Sequence, residues 1–258
     1  MNHLKKPVLP IVLLVILVTF GIIGARFFYD QPITGAPPYG ESEEDAPALG
    51  ELDWLRDWKR PDGPARVGVQ IGHLNNEDAP EEQKRLRNNG GATGGGYTEV
   101  EVNAAVAEEL KRLLASEGVL VDLLPTTIPP DYWADVFVSV HTDGNTNPTV
   151  SGFKIASSWR DLTGTARELV AILESSYQEA TRFPKDPNIS RNMRGYYAFS
   201  WWRYEHAIHP KTTAAIVEMG FITNPGDRKI LVGSPEIPAR GLADGVLKYL
   251  RSQNLLED

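Results

Sequence analysis

The 258-residue chain contains no cysteine. That absence excludes disulfides, thiolate zinc sites, a cysteine nucleophile and a lipid-modified N-terminal cysteine, so any metal must be held by nitrogen and oxygen. Basic residues are also in deficit: 26 Lys and Arg stand against 34 Asp and Glu, a formal net charge of -8. A balance of that sign argues against a nucleic-acid partner, which calls for a basic patch or stripe. No internal repeat is present, and the length is expected to provide one well-packed domain plus appendages.

Long apolar runs are confined to the N-terminus. Pro7 to Ala25 carries no charge, and about 19 apolar residues at about 1.5 Å each approach the roughly 30 Å hydrocarbon core of a bilayer. Residues 7–28 are therefore expected to form a transmembrane anchor after a short cytoplasmic tail, residues 1–6. Lys5 and Lys6 precede the run and place the N-terminus in the cytoplasm, with the rest of the chain extracytoplasmic. A cleaved signal peptide is the competing reading, with Ile23-Gly24-Ala25 as a tolerable cleavage context, and it leads to secretion. Residues 29–62 are rich in proline, glycine and acid and read as a tether. At its end Trp54 and Trp58 are expected to pack on the following domain, with carbohydrate stacking as the alternative.

From residue 63 to 258 strand-like and helix-like segments alternate. Ala65–Ile71, Val119–Leu124, Asp135–His141, Gly152–Ser157 and Thr213–Glu218 read as strands; Glu99–Ser116, Leu162–Arg182 and Ile237–Leu250 read as helices. Leu74–Gly96 reads as loop, and Asn224-Pro225-Gly226 as a turn. The order predicts a single α/β domain with a mostly parallel central sheet flanked by helices, preceded by the one N-terminal transmembrane helix.

Four short pieces carry the chemistry: Ile71-Gly72-His73, Glu99 ahead of Asn103, Ser139-Val140-His141, and Val217-Glu218-Met219-Gly220-Phe221. His73, His141 and Glu218 each follow or end a predicted strand, and ligands of such sheets gather outside the carboxyl ends of strands. Two imidazoles and a carboxylate can hold zinc through three ligands and leave a fourth position for water. Taken singly, His141 could be a satisfied core histidine, His73 a turn residue, and Glu99 a first-turn acid favoured by the helix dipole. Glu218 is harder to dismiss, because a carboxylate at the end of an apolar strand is costly to bury without a partner. His206 and His209 are read as surface residues.

In this order the pieces resemble the zinc-dependent N-acetylmuramoyl-L-alanine amidases of the amidase_3 type, over about Val67 to Leu250. The resemblance implies His73, Glu99 and His141 as zinc ligands and Glu218 as the catalytic glutamate; Glu101 is the rival for the ligand position of Glu99. Arg194 and Asn224 are its candidates for substrate contact. Ile71 stands where the family often has proline, and Thr142-Asp143 where Ala-Asn is frequent. The implied activity is hydrolysis, in peptidoglycan, of the amide between the lactyl group of N-acetylmuramic acid and L-alanine. Peptidoglycan, the membrane and an activator protein are the implied partners. A catalytically silent envelope-binding regulator and a zinc peptidase cutting within stem peptides are the alternatives.

Overall fold

The computed structural model describes residues 52–257. The expected cytoplasmic tail, the expected anchor at 7–28 and the tether up to residue 51 lie outside the described residues. Among the described residues no helix is long and apolar enough to cross a membrane.

The elements run β1 (Arg66–Ile71), β2 (Thr93–Gly94), β3 (Tyr97–Thr98), α1 (Glu99–Ser116), β4 (Leu120–Leu124), β5 (Val136–Asp143) and β6 (Lys154–Ala156). There follow α2 (Ala166–Thr181), α3 (Arg191–Arg194), β7 (Thr213–Phe221), α4 (Pro225–Leu231) and α5 (Glu236–Ser252). The five-stranded sheet has the order β4-β1-β5-β7-β6, parallel throughout except for β6, which runs antiparallel to β7 at one edge. Leu74–Gly96, expected as loop, contains short 3-10 turns and β2, the first two-residue strand of a hairpin that β3 completes just beyond it. These are too short to leave an apolar period in the sequence.

Strand alternation assigns the two faces of the sheet. Val67, Val69, Val136, Val138, Val140, Ala215 and Val217 share one cluster with the apolar faces of α1, α2 and α5. Phe137, Ala156, Ala214 and Ile216 point the other way and pack against Tyr196, Tyr197, Phe199 and Ile208. The three long helices thus lie on one face, and irregular chain closes the other. Helices α2 and α5 approach closely because Gly241 and Gly245 carry no side chain. A Cβ on Gly241 would sit 2.9 Å from the Tyr177 Cα, and one on Gly245 3.1 Å from the Leu173 Cα.

The stretch before residue 63 is partly docked. Leu55 is buried, Trp58 stacks on His209 at 5.1 Å and leans on Trp133, and Arg60 makes a two-pronged ion pair with Asp135 at 2.6 and 2.9 Å. Packing, the expectation for these tryptophans, is what Trp58 does, whereas Trp54 keeps 56% of its surface exposed while touching Trp201 edge-on.

Beyond β7 the chain turns on Asn224, whose side-chain oxygen accepts from the Gly226 and Asp227 N–H groups at 2.7 and 3.1 Å. With Pro225 in the first turn, this is a helix start rather than a free-standing turn. The same residue types favour both, and the sequence did not separate them. Asp227 then reaches back: its buried carboxylate accepts from Phe221 N–H at 2.9 Å, Gly152 N–H at 3.1 Å and Ser151 Oγ at 2.6 Å. It ties the end of β7 to the chain entering β6. Asp227→Ala strands two buried N–H groups and is expected to lower the unfolding free energy by about 2–4 kcal/mol, read from urea titrations. A loss under about 0.5 kcal/mol counts against this tie.

Candidate metal centre and active site

The first side chain of the site is set by a close approach. β1 ends at Ile71, and Gly72 extends the pairing by donating its N–H to the Val140 carbonyl at 3.0 Å. The His141 ring lies against Gly72, where a Cβ would fall 2.4 to 2.6 Å from ring atoms, so only glycine fits. His73 follows in the left-handed region, φ 66°. Its Nδ1 sits 3.0 Å from the Asn89 carbonyl, to which the Asn76 amide also donates. An Nδ1–H bound to that carbonyl leaves Nε2 bare on the opposite side of the ring.

Glu99 enters from the start of α1. Thr98 caps the helix in a reciprocal box: its hydroxyl accepts from Glu101 N–H at 3.4 Å, and Glu101 Oε2 accepts from Thr98 N–H at 2.8 Å. Glu101 is thereby the outward capping residue and Glu99 the inward one. The buried Glu99 Oε2 accepts from Ala92 N–H at 2.8 Å, and Oε1 from Thr142 N–H at 3.1 Å. Asn103, one turn on, donates to Glu99 Oε1 at 3.4 Å and to the Gly72 carbonyl at 3.3 Å. That contact explains the Glu99…Asn103 spacing.

His141, on β5, completes the cluster. Glu99 Oε1 lies 2.9 Å from His141 Nδ1 and 3.4 Å from His73 Nε2, and donor atoms of the three residues all fall within 4.8 Å of one another. Tetrahedral zinc with bonds of about 2.0–2.1 Å spaces its donors about 3.3 Å apart, so the three groups fit such an ion in type and separation. Burial alone raises the Glu99 pKa, but hydrogen bonds and charge from His141 and His73 pull it well below the ordinary carboxylate value. Burial lowers His141 despite Glu99 beside it. His73 is also penalised by burial, yet the hydrogen bond and charge that Glu99 offers its protonated ring bring it out above the ordinary imidazole value.

Glu218 stands next to this cluster. In the β5–β7 ladder it pairs with His141, and on its other side it pairs with Lys154 of β6, so the three residues form a row across adjacent strands. Glu218 Oε2 is buried without a hydrogen-bond partner. Burial, and after it the charges of Asp143 and Glu99, push the Glu218 pKa well above the carboxylate range, with the Lys154 charge opposing. Lys154 is 8% exposed and bonds Asp143 at 2.6 Å and Asp186 at 3.3 Å. A half-buried carboxylate whose inner oxygen has no partner and whose pKa is raised is suited to taking up and giving back a proton.

Residues 67–248 match the Amidase_3 family, N-acetylmuramoyl-L-alanine amidase. The chain belongs to this family. It is accordingly an enzyme of the N-acetylmuramoyl-L-alanine amidase class. No curated protein matches it in sequence. Among solved structures it is similar to an N-acetylmuramoyl-L-alanine amidase from Clostridium difficile 630, with TM-score 0.55 and 19% identity over 74% of this chain and 100% of that one. It is similar as well to Ami1 from Mycobacterium smegmatis, with TM-score 0.55 and 19% identity over 73% and 98%. The CwlD amidase from Clostridioides difficile, solved in complex with the GerS lipoprotein, gives 0.53 and 16% over 73% and 99%. At these identities the likeness establishes the fold.

Within this amidase domain the remaining candidates fall elsewhere. Arg194 is exposed at the end of α3, its guanidinium 4.8 Å from the centre of the half-exposed Trp159 ring. Asn224 is engaged at both ends of its carboxamide, capping α4 and donating to the Pro148 carbonyl at 3.0 Å. His209 is not at the surface: the Trp58 ring covers it, leaving 4% exposed. His206 is half-buried, its Nδ1 at 2.8 Å from the Ile128 carbonyl.

Two polar residues of the site, Lys154 and Tyr196, escaped sequence reasoning, and Asp143 was read only as a departure from the frequent Ala-Asn. Lys154 and Asp143 had a signal, a lysine inside an apolar strand and an acid two residues past His141, since buried charges come in pairs. Tyr196, whose hydroxyl is 3.1 Å from His141 Nε2, had none, because it arrives from an aperiodic segment.

Zinc analysis of the purified variants separates the two acids of α1. Glu99→Ala is expected to lose stoichiometric zinc. Glu101→Ala keeps it and weakens only the helix cap. Zinc lost from Glu101→Ala but retained by Glu99→Ala reverses the assignment.

Proposed function

We propose that this amidase is a zinc enzyme that hydrolyses the amide between the lactyl group of N-acetylmuramic acid and L-alanine in peptidoglycan, with His73, Glu99 and His141 as the metal ligands and Glu218 as the proton carrier. The observation that carries the reading is the convergence of two imidazole nitrogens and one carboxylate oxygen beside a buried, unpaired Glu218 oxygen. When bound by such ligands, zinc polarises a carbonyl and brings the ionisation of its water to about pH 7.

The protein's own groups do the rest. Glu99, held ionised by its hydrogen bonds, supplies negative charge between the two histidines. Glu218 accepts the proton of the attacking water and delivers it to the nitrogen of the departing L-alanine, so that carboxylic acid and amine are formed and Glu218 ends as it began. Lys154 keeps Asp143 and Asp186 paired and tempers the repulsion that Asp143 and Glu99 exert on Glu218. Arg194 over Trp159 is the exposed cation proposed to meet the polymer, and Asn224 is proposed to shape the rim through its hold on Pro148.

Control is proposed to come from tethering to the cell membrane through residues 7–28, or from a partner protein. The connection from Gly144 to Phe153 carries no helix that could cover the site. The CwlD–GerS complex supports the second route by analogy.

Two experiments test this reading. Peptidoglycan is digested with the protein, with and without chelator, and the released ends are identified by mass spectrometry. Free stem peptides beginning at L-alanine are expected, lost on chelation and reduced roughly 10²- to 10⁴-fold in Glu218→Gln with zinc content unchanged. Cleavage within the stem peptide moves the assignment to a peptidase, and no release by a zinc-loaded, folded protein favours a binding role. Separately, full-length protein is expected in the membrane fraction and a fragment starting at Gly50 in the soluble one. Full-length protein that is soluble with its first thirty residues missing indicates signal cleavage instead.

A further inference from the structure

Behind His141 lies a buried hydrogen-bond chain whose protons have one fully paired arrangement. It starts at the Thr126 carbonyl, which only accepts. Gln70 Nε2 donates to it at 2.7 Å and the Tyr197 hydroxyl at 2.6 Å. The Gln70 amide is thereby oriented, with Nε2 also donating to Tyr197 at 2.9 Å and Oε1 facing the Tyr196 hydroxyl at 2.9 Å. The Tyr197 hydroxyl also lies 3.2 Å from that of Tyr196, but its oxygen already accepts from Gln70 Nε2, whereas Oε1 can only accept, so the single Tyr196 proton goes to Oε1. The Tyr196 oxygen is left as an acceptor toward Ser139 Oγ at 3.3 Å and His141 Nε2 at 3.1 Å. Gln70 and Ser139 are fully buried and Tyr196 nearly so, so water offers no alternative partner.

We propose that Tyr196 is a positioning residue for the metal centre: held by Gln70, its hydroxyl oxygen takes the Nε2–H of His141 and keeps His141 Nδ1 unprotonated and aimed toward Glu99 and His73. The inference rests on the zinc reading above. The same logic operates at the other imidazole, where the Asn89 carbonyl holds Nδ1 of His73 and leaves Nε2 on the Glu99 side. Each histidine thus has an outer partner on the nitrogen away from Glu99, the arrangement that fixes tautomer and ring angle in metal sites. Without the hydroxyl, the His141 ring would be steered by Glu99 alone, which lies 2.9 Å from Nδ1 and competes with a metal by attracting a proton to that atom.

The test measures zinc affinity of full-length protein by competition with a chromophoric chelator, and the His141 ring protons of the zinc-loaded protein by long-range 1H–15N NMR. Tyr196→Phe is expected to weaken zinc binding by about 10- to 100-fold, and the slowly exchanging Nε2–H resonance of the native protein is expected to vanish. Thermal unfolding of the zinc-free variant shows whether it folds. If it does not, Gln70→Leu serves, since it leaves the tyrosine in place and frees its proton to turn toward His141; weaker zinc binding is again expected. Native zinc affinity with an unchanged ring-proton pattern in the folded variant overturns the proposal. A native protein that takes up no stoichiometric zinc overturns the zinc reading itself, a result distinct from loss in the variant alone.

Discussion

The structure depends on how one carboxylate is buried. Glu99 has both oxygens inside the protein, and a desolvated carboxylate is tolerated only with charge or hydrogen bonds around it. Its partners come from four separate places: the Ala92 amide of the loop, the Thr142 amide of β5, Asn103 one turn along α1, and the rings of His73 and His141. Satisfying Glu99 therefore fixes the start of α1 against the carboxyl ends of β1 and β5. Gly72 belongs to the same constraint, since any side chain there would displace the His141 ring that closes the cluster.

The asymmetry of the sheet explains where this cluster opens. Helices α1, α2 and α5 seal one face with aliphatic packing, and only the other face can receive polar side chains from aperiodic chain. His141 and Glu218 continue the row of alternate residues on that second face, with Ser139 behind His141 and Ile216 behind Glu218. The antiparallel edge strand β6 adds Lys154 in register with Glu218, a cation that opposes the repulsion Asp143 exerts on that carboxylate. Membership of the amidase family gives this geometry its reaction class, and the geometry in turn says which atoms are free to act.

Much of this was legible in the sequence for identifiable reasons. The parallel strands read as short apolar runs, and three of the site residues closed or followed such runs, so their meeting at one edge followed from the topology. The preference for Glu99 over Glu101 rested on the family's spacing to Asn103 and the helix, and the structure turns Glu101 outward into the capping box while Glu99 faces His73 and His141. What stayed hidden has equally physical causes. The cover of the second face has no period to read, so Tyr196 and the burial of His209 beneath Trp58 could not be seen. Asn224-Pro225-Gly226 suits a turn and a helix start alike, and only the reach of Asp227 back to Phe221 decides between them. The role of Lys154 needed the register of β6 against β7, which no pattern in the chain encodes.

The most direct test of the account is diffraction from zinc-soaked crystals collected on both sides of the zinc absorption edge. The account predicts a single anomalous peak within about 2.0–2.2 Å of His73 Nε2, His141 Nδ1 and a Glu99 oxygen, with Glu218 outside the coordination shell. A peak held by Glu218 in place of Glu99, or no peak among these residues, would contradict it.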